Sequence, residues 1–240
     1  MGLFKRKKLK IDQSKLPKHI AFIIDGNGRW AKNKGFPRTF GHKMGVEAVK
    51  NTILNCLELG IKELSFFCFS TENWQRPKEE VDYIFNLLRE YLSENLDEYY
   101  NKGIKLYVSG DINALPNDLQ EKINAILEKT KDNDKMKVNI CINYGGRAEI
   151  VRAVNCIIEA KVEKITEEEF KNYLYTRDFS DPDLIVRTSG ENRISNFMLY
   201  QLAYSEFYFP KAFWPEFDKK ELYKAINNFQ SRNRRFGQIK

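Results

Sequence analysis

Two hydrophobic periods alternate along the chain from end to end. Short apolar runs at Ile20–Ile24, Leu64–Phe69, Ile104–Ser109, Val138–Asn143, Asp183–Val186 and Glu206–Phe209 have the length and residue content of buried strands. Between them the apolar positions recur every three or four residues, as on one face of a helix. Val46, Val49, Ile53 and Leu57 mark one such helix, which Gly60 ends. A longer one, predicted over 78–100, carries Val81, Ile84, Phe85, Leu88, Tyr91, Leu92, Leu96 and Tyr99, and Gly103 closes it. Further helices are predicted at 116–131, after Arg147, at 166–173, over Ser195–Ala203 and at 218–235. Strands alternating with helices predict an α/β fold: a single-domain, mostly parallel β-sheet flanked by helices.

Most of the strands run into polar, glycine-rich segments: Asp25-Gly-Asn-Gly-Arg29, Ser70-Thr-Glu-Asn-Trp74, Gly110-Asp111, Asn143-Tyr-Gly-Gly-Arg147 and Arg187-Thr-Ser-Gly-Glu-Asn-Arg193. Open parallel sheets bind ligands at the carboxyl ends of their strands, so Asp25, Asn73, Arg76, Arg187 and Arg193 are expected around one crevice. Gly26 and Gly28 allow backbone N–H groups to converge on an anion, and Arg29, Arg38 and Lys43 supply positive charge. Asp25 offers a hard oxygen ligand or a base, which suggests Mg²⁺ carrying a phosphate or diphosphate. The same letters also spell an Asx turn. His42, at the start of a helix, suits either a terminal hydrogen bond or a donor to a diphosphate. Phe66, Phe67, Phe69, Phe85, Leu88, Tyr91 and Leu92 offer more apolar surface than one packing stripe needs. Most of it must be core, but an apolar tunnel beside the anion site would suit a lipid diphosphate.

Composition narrows the classes. A chain of 240 residues, 42% hydrophobic and 30% charged, can bury a full core as one domain. No apolar run is long enough for a membrane span, and no signal peptide precedes the first strand. Cys56, Cys68, Cys141 and Cys156 lack zinc-site spacing, which favours a reduced, cytoplasmic protein. The first ten residues carry five cations and no acid and the last ten carry four and no acid, which leaves residues 11–230 at −2 out of the total +7. A broad nucleic-acid face is therefore not expected. The basic N-terminal tail, 1–18, reads as a solvated end or as a weak attachment to anionic lipid. With His19 and His42 the sole histidines, a histidine-rich metal site is excluded. There is no Walker A loop, no third glycine of a dinucleotide fingerprint and no nucleophile elbow.

The segments HIAFIIDGNGRWAKNKGFPRTFGHKMG, FSTENWQRP, INYGGR, DLIVRTSGENRISNFMLYQLAYSEFYF and RNRRFG resemble, in order, the signature blocks of the cis-prenyltransferases. Within that family the likeness is to the bacterial undecaprenyl diphosphate synthases, also called isoprenyl transferases. The resemblance implies a homodimer, with a catalytic domain over 19–240 built on a parallel sheet and a hydrophobic tunnel. It implies Mg²⁺-dependent condensation of isopentenyl diphosphate onto an allylic diphosphate, usually farnesyl diphosphate, each new double bond cis. The product would be undecaprenyl diphosphate, precursor of the cell-wall lipid carrier, released with a peripheral contact at the inner face of the membrane.

Carried over by position, Asp25 would bind Mg²⁺ and be essential. Gly26, Asn27, Gly28 and Arg29 would cradle the allylic diphosphate, with Arg38 and His42 beside it. Trp30 and Trp74 would line the substrate path. Ser70, Thr71, Glu72 and Arg76 would serve substrate binding, with Asn73 as the proton acceptor. Arg187, Arg193 and Ser195, with Ile194 between the last two, would hold isopentenyl diphosphate, and Glu206 would complete the metal site, from the same or the partner subunit. The chain departs from the family at Asn192, where His is usual, at Tyr200 for Trp and at Ser189 for Gly. A non-catalytic partner subunit of the same fold should have lost Asp25 or the arginines, and all are present. The all-helical trans-prenyltransferases carry DDxxD motifs, which this chain lacks.

Overall fold

A computed structural model describes residues 10–234. Residues 1–9 of the basic tail and residues 235–237 of the RNRRFG block lie outside the described part. Among the described residues, β1 (His19–Ile23), β2 (Glu63–Ser70), β3 (Ile104–Ser109), β4 (Met136–Tyr144), β5 (Leu184–Arg187) and β6 (Glu206–Tyr208) form one sheet in the order β3-β4-β2-β1-β5-β6. Every pairing is parallel. The helices are α1 (Asn27–Asn33), α2 (Arg38–Leu59), α3 (Lys78–Asn101), α4 (Asn117–Thr130), α5 (Gly146–Glu159), α6 (Glu167–Lys171) and α7 (Lys219–Gln230).

The strands read as near-continuous apolar runs because the sheet is covered on both faces. Successive side chains point to opposite sides. Thus Ile20 and Phe22 join one core with Leu64, Phe66, Val138, Ile140 and the α2, α3, α4 and α7 faces. Ala21 and Ile23 join a second core with Cys141, Ile185, Phe197, Met198 and Leu202. Ile11 and Leu16 pack against the first core, and Gln230 donates to the Asp12 carbonyl at 2.7 Å, so the tail from residue 11 onward is fastened to α7.

Local readings are corrected in three places. Ser195–Ala203 is not helical but a run of turns, with φ of 50° at Ser195, 65° at Asn196 and 45° at Met198. Left-handed residues break the i→i−4 ladder, and they are held there because Phe197 and Met198 are fully buried in the second core. Conversely, part of the glycine loop after β1 is helical: Gly26, at φ 104°, turns the chain into the seven-residue α1. The closing helix also stops at Gln230 rather than 235.

α1 lies so close to α2 that glycine is required at the crossing. A Cβ at Gly41 would stand 2.0 Å from the Asn27 carbonyl oxygen, and one at Gly45 would stand 2.6 Å from the Asn27 side chain. Gly41→Ala is expected to destabilise the fold by about 1–3 kcal/mol through overpacking. Thermal melting checks this; an unchanged Tm would contradict so tight a crossing.

Candidate active site

In a sheet of this order the chain leaves β1 toward β2 and leaves β5 toward β6, in opposite directions. A crevice opens between such diverging connections, at the carboxyl ends of β1 and β5. Ile23 is in register with Arg187, which sets Asp25 and Arg187 face to face. Arg187 Nη2 donates to Asp25 Oδ2 at 2.9 Å, while its Nη1 donates to Ser195 Oγ at 2.7 Å and to the Arg193 carbonyl at 2.6 Å. The Arg187 side chain is only 5% exposed, and among the described residues its buried Nε finds no hydrogen-bond partner. The Asp25 backbone is pinned as well: its carbonyl accepts from Thr188 Oγ1 at 2.6 Å and from the Trp214 N–H at 3.1 Å. Arg29 reaches Asp25 Oδ1 at 3.1 Å. Burial pushes the Asp25 carboxyl up, but the hydrogen bond and charge of Arg187, with Arg29, outweigh it and hold the group below the usual carboxylate range.

Two further carboxylates hold Arg38, Arg76 and Arg193 and give Arg29 a second partner. Glu80 Oε1 accepts from Arg38 and Arg76, both at 3.2 Å, and lies 3.3 Å from His42 Nε2. Glu80 is held low by Arg38 and Arg76 against the opposing effect of burial, and burial lowers His42. Glu191 accepts from Arg29 at 2.6 Å and from Arg193 at 2.5 Å, and Arg193, then Arg29, lower its carboxyl. The spacing of Arg76 and Glu80, one helical turn apart, could have signalled the first cluster; nothing local signals the second. Ser189 sits at φ 72°, a conformation that favours glycine, and its hydroxyl accepts from Arg29 at 2.6 Å.

Asp25 and the arginines line a polar crevice of about 750 Å³. From the first strand and helix come Asp25, Gly26, Asn27, Gly28 and Arg29; from α2 come Arg38 and His42. Ser70, Glu72, Asn73 and Arg76 line it after β2, and Arg187, Arg193 and Ser195 after β5. Arg147 and Asn196, which carry no role in the sequence-based expectation, line it too. Asn73 Oδ1 accepts from the Ser70 N–H at 3.1 Å, and Glu72 accepts from Asn196 at 2.8 Å.

Other expected residues lie elsewhere. Trp30 stacks on Phe40 and donates to Glu216. Trp74 packs on Phe69 and Phe85 and donates to Asn143. Thr71, Ile194 and Lys43 are absent from the lining, and Ile194 packs against the second core. Gly110-Asp111 is turn punctuation: Asp111 accepts from the Asn113 N–H at 3.1 Å and does not line the crevice. Asn192 is exposed outside the crevice. Glu206 is in register with Leu184, itself level with Ile20, so within one chain it lies about five residues, or ~16 Å, back along the strands from Asp25. There it pairs with Arg232 at 2.7 Å.

Beside the crevice an apolar cavity of about 80 Å³ runs between α2 and α3 over β2 and β4. It shares Ile24, Asn27, His42, Cys68 and Ile84 with the crevice, and Val46, Val49, Phe69, Phe85 and Leu88 continue it. Tyr91 stands at its far end, its hydroxyl against that of Tyr99. Asn27, at the junction, keeps a buried Oδ1 that has no partner among the described residues.

Among the described residues no group of three or more His, Cys, Asp or Glu could hold a metal by itself. Magnesium does not need one: it is commonly held by one or two carboxylates, with water and substrate phosphate completing the shell. A single depressed carboxylate at the mouth of an arginine-rich crevice fits an ion that arrives with a diphosphate.

Residues 23–237 match the family described as "Putative undecaprenyl diphosphate synthase". An isoprenyl transferase of Fusobacterium nucleatum is 50% identical, covering 95% of this chain and 99% of that one. Another, of Clostridium perfringens, is 46% identical over 95% of this chain and 92% of that one. The crystal structure of lavandulyl diphosphate synthase from Lavandula x intermedia, in complex with dimethylallyl diphosphate, superposes with a TM-score of 0.90 at 34% identity, covering 94% of this chain and all of that one. That of a probable undecaprenyl diphosphate synthase from Campylobacter jejuni gives 0.79 at 38% identity, over 92% and 99%.

Proposed function

The chain belongs to the undecaprenyl diphosphate synthase family of cis-prenyltransferases, and from that premise we propose that it condenses isopentenyl diphosphate onto farnesyl diphosphate, with Mg²⁺, to make undecaprenyl diphosphate. The observation that carries this reading is the continuity of an arginine-lined crevice with an apolar cavity, a polar mouth opening into an apolar throat. Each five-carbon unit buried in such a throat contributes at most about 4 kcal/mol, at ~0.8 kcal/mol per CH₂. A growing chain is therefore held ever more tightly, and release becomes the slow step.

Gly26, Asn27, Gly28 and Arg29, with Arg38 and His42, hold the allylic diphosphate; Arg187, Arg193 and Ser195 hold that of isopentenyl diphosphate. Asp25 holds the magnesium ion, which supplies Lewis-acid stabilisation of charge on the departing diphosphate. The arginines share that stabilisation in a crevice where donors are already fixed. The isopentenyl double bond attacks the allylic carbon and a proton is then lost. Asn73 is a poor base and its Oδ1 already accepts a hydrogen bond, so it orients the water or departed diphosphate oxygen that takes the proton.

The assembly we infer is a homodimer. On α5, Val151, Val154 and Ile158 form a stripe one face wide, 60%, 43% and 66% exposed in the single chain, as a face awaiting a second copy would be. Among the described residues no helix is long and apolar enough to cross a membrane, and the reading has the enzyme in the cytoplasm, meeting the inner membrane surface to release its product.

Radiolabelled isopentenyl diphosphate with farnesyl diphosphate, with and without Mg²⁺, tests the activity. Magnesium-dependent products of undecaprenyl length are expected. A shorter ladder would keep the reaction and change the product, and no product from folded protein with several primers would sink the proposal. Arg193→Ala should raise the KM for isopentenyl diphosphate about tenfold, the loss of ~1.4 kcal/mol of binding, and leave the farnesyl KM nearly unchanged. An effect confined to farnesyl diphosphate would contradict the division of the crevice.

A further inference from the structure

We propose that Arg147, among the described residues the unpaired arginine of the crevice, is a further binding residue for the diphosphate of isopentenyl diphosphate. This rests on the functional reading above and deepens it. Of the arginines that line the crevice, Arg29 and Arg187 are paired with Asp25, Arg38 and Arg76 with Glu80, and Arg193 with Glu191. Among the described residues Arg147 alone of them has no side-chain hydrogen bond or ion pair, although it lines the same space. That difference matters for a polyanion. A paired arginine that turns to phosphate leaves a carboxylate behind to be resolvated or repelled, whereas an unpaired one exchanges only water for phosphate oxygens.

Its backbone fixes which substrate it serves. The Arg147 N–H donates to Asn196 Oδ1 at 2.9 Å, and the Gly146 N–H donates to the Asn196 carbonyl at 2.7 Å. The start of α5 is thus stapled to the segment that carries Ser195, whose hydroxyl meets Arg187. The staple is tight: a Cβ at Gly146 would stand 2.8 Å from the Leu199 side chain and 2.9 Å from its backbone nitrogen. A Cβ at Gly145 would stand 2.7 Å from Thr71 Oγ1 and 2.8 Å from Asn196 Nδ2. Arg147 therefore stands with Arg187 and Ser195 on the isopentenyl side, across the crevice from Arg38 and His42. Its flexible stem carries a planar fork of donors, suited to gripping two phosphate oxygens at once.

Two measurements on the full chain test the assignment. In condensation with farnesyl diphosphate saturating, Arg147→Gln should raise the KM for isopentenyl diphosphate about tenfold, with the farnesyl KM unchanged within about twofold, and Arg147→Lys should recover part of the loss. Calorimetry with inorganic diphosphate reads the same contact without chemistry, and Arg147→Gln should weaken that binding by a similar factor. An unchanged isopentenyl KM, or an equal rise for both substrates, overturns the assignment. A wild-type chain that binds inorganic diphosphate but condenses nothing would overturn the proposed activity instead. Calorimetry would then still decide on Arg147: weaker binding in Arg147→Gln retains it as a diphosphate contact, and equal binding removes it.

Discussion

Asp25→Ala is expected to lower the condensation rate by about 10³-fold or more under saturating substrates, read as radiolabel incorporated into lipid product. Two losses combine. The variant removes the carboxylate that would hold the metal, and it releases Arg187, whose Nη2 donates to Asp25 Oδ2. The second loss also reaches stability, because a guanidinium only 5% exposed loses its ionic partner, although Ser195 Oγ and the Arg193 carbonyl still accept from it. Asp25→Asn separates the two. It keeps an oxygen for Arg187 but not the charge, and should melt between Asp25→Ala and the wild type while remaining as inactive as Asp25→Ala. Normal turnover in either variant would remove the metal assignment.

The ion pair also has a pH signature. The folded-state pKa of Asp25 lies below its unfolded value near 3.9, so the stabilisation is full above that value and is lost as pH falls through the folded pKa. The gap in Tm between wild type and Asp25→Ala should therefore be widest near neutral pH and close in strong acid. A gap that widened on acidification would contradict the pairing.

Arg187→Ala is expected to act on both fold and chemistry. Removing one member of a buried ion pair costs about 3–5 kcal/mol when the other is left uncompensated, and Asp25, with Arg29 still at 3.1 Å, should place the loss at the lower end. The kcat/KM for isopentenyl diphosphate should fall about 10²–10³-fold, as when a fixed donor to a developing anion is removed. Arg187→Lys is the informative control. It keeps the charge, but a single ammonium cannot meet Asp25, Ser195 and the Arg193 carbonyl with the geometry of the fork. Substantial stability with poor turnover is expected; full activity in the lysine variant would show that charge alone suffices. Denaturant melts and steady-state kinetics on the same preparations make the comparison.

Much of this arrangement is legible in the chain itself, because its signals are local. Unbroken apolar runs ending in glycine and acid or arginine are properties of a few adjacent residues, and a parallel sheet places all such ends on one edge. Asp25, Asn73, Arg76, Arg187 and Arg193 meet there as expected. Gly110-Asp111 carries the same local signature and lies outside the crevice, because β3 is at the edge of the sheet, three strands from β1. The Trp30 and Trp74 expectations, taken from likeness to a family, met rings that pack against Phe40, Phe69 and Phe85.

The sequence by itself therefore determined the kind of sheet, the edge on which chemistry collects and most of the charged groups that collect there. The tertiary structure decided which of those groups face one another. Glu80 and Glu191 each pair with two arginines, and among the described residues Arg147 is left unpaired, through contacts that join residues up to 162 positions apart. It also decided against a helix at 195–203, where burying Phe197 and Met198 outweighs the local preference for i→i−4 hydrogen bonds. The physical reason is one of range. Backbone periodicity is set by neighbours in the chain, whereas ion pairing and left-handed turns are set by whatever the strand order brings within a few ångströms.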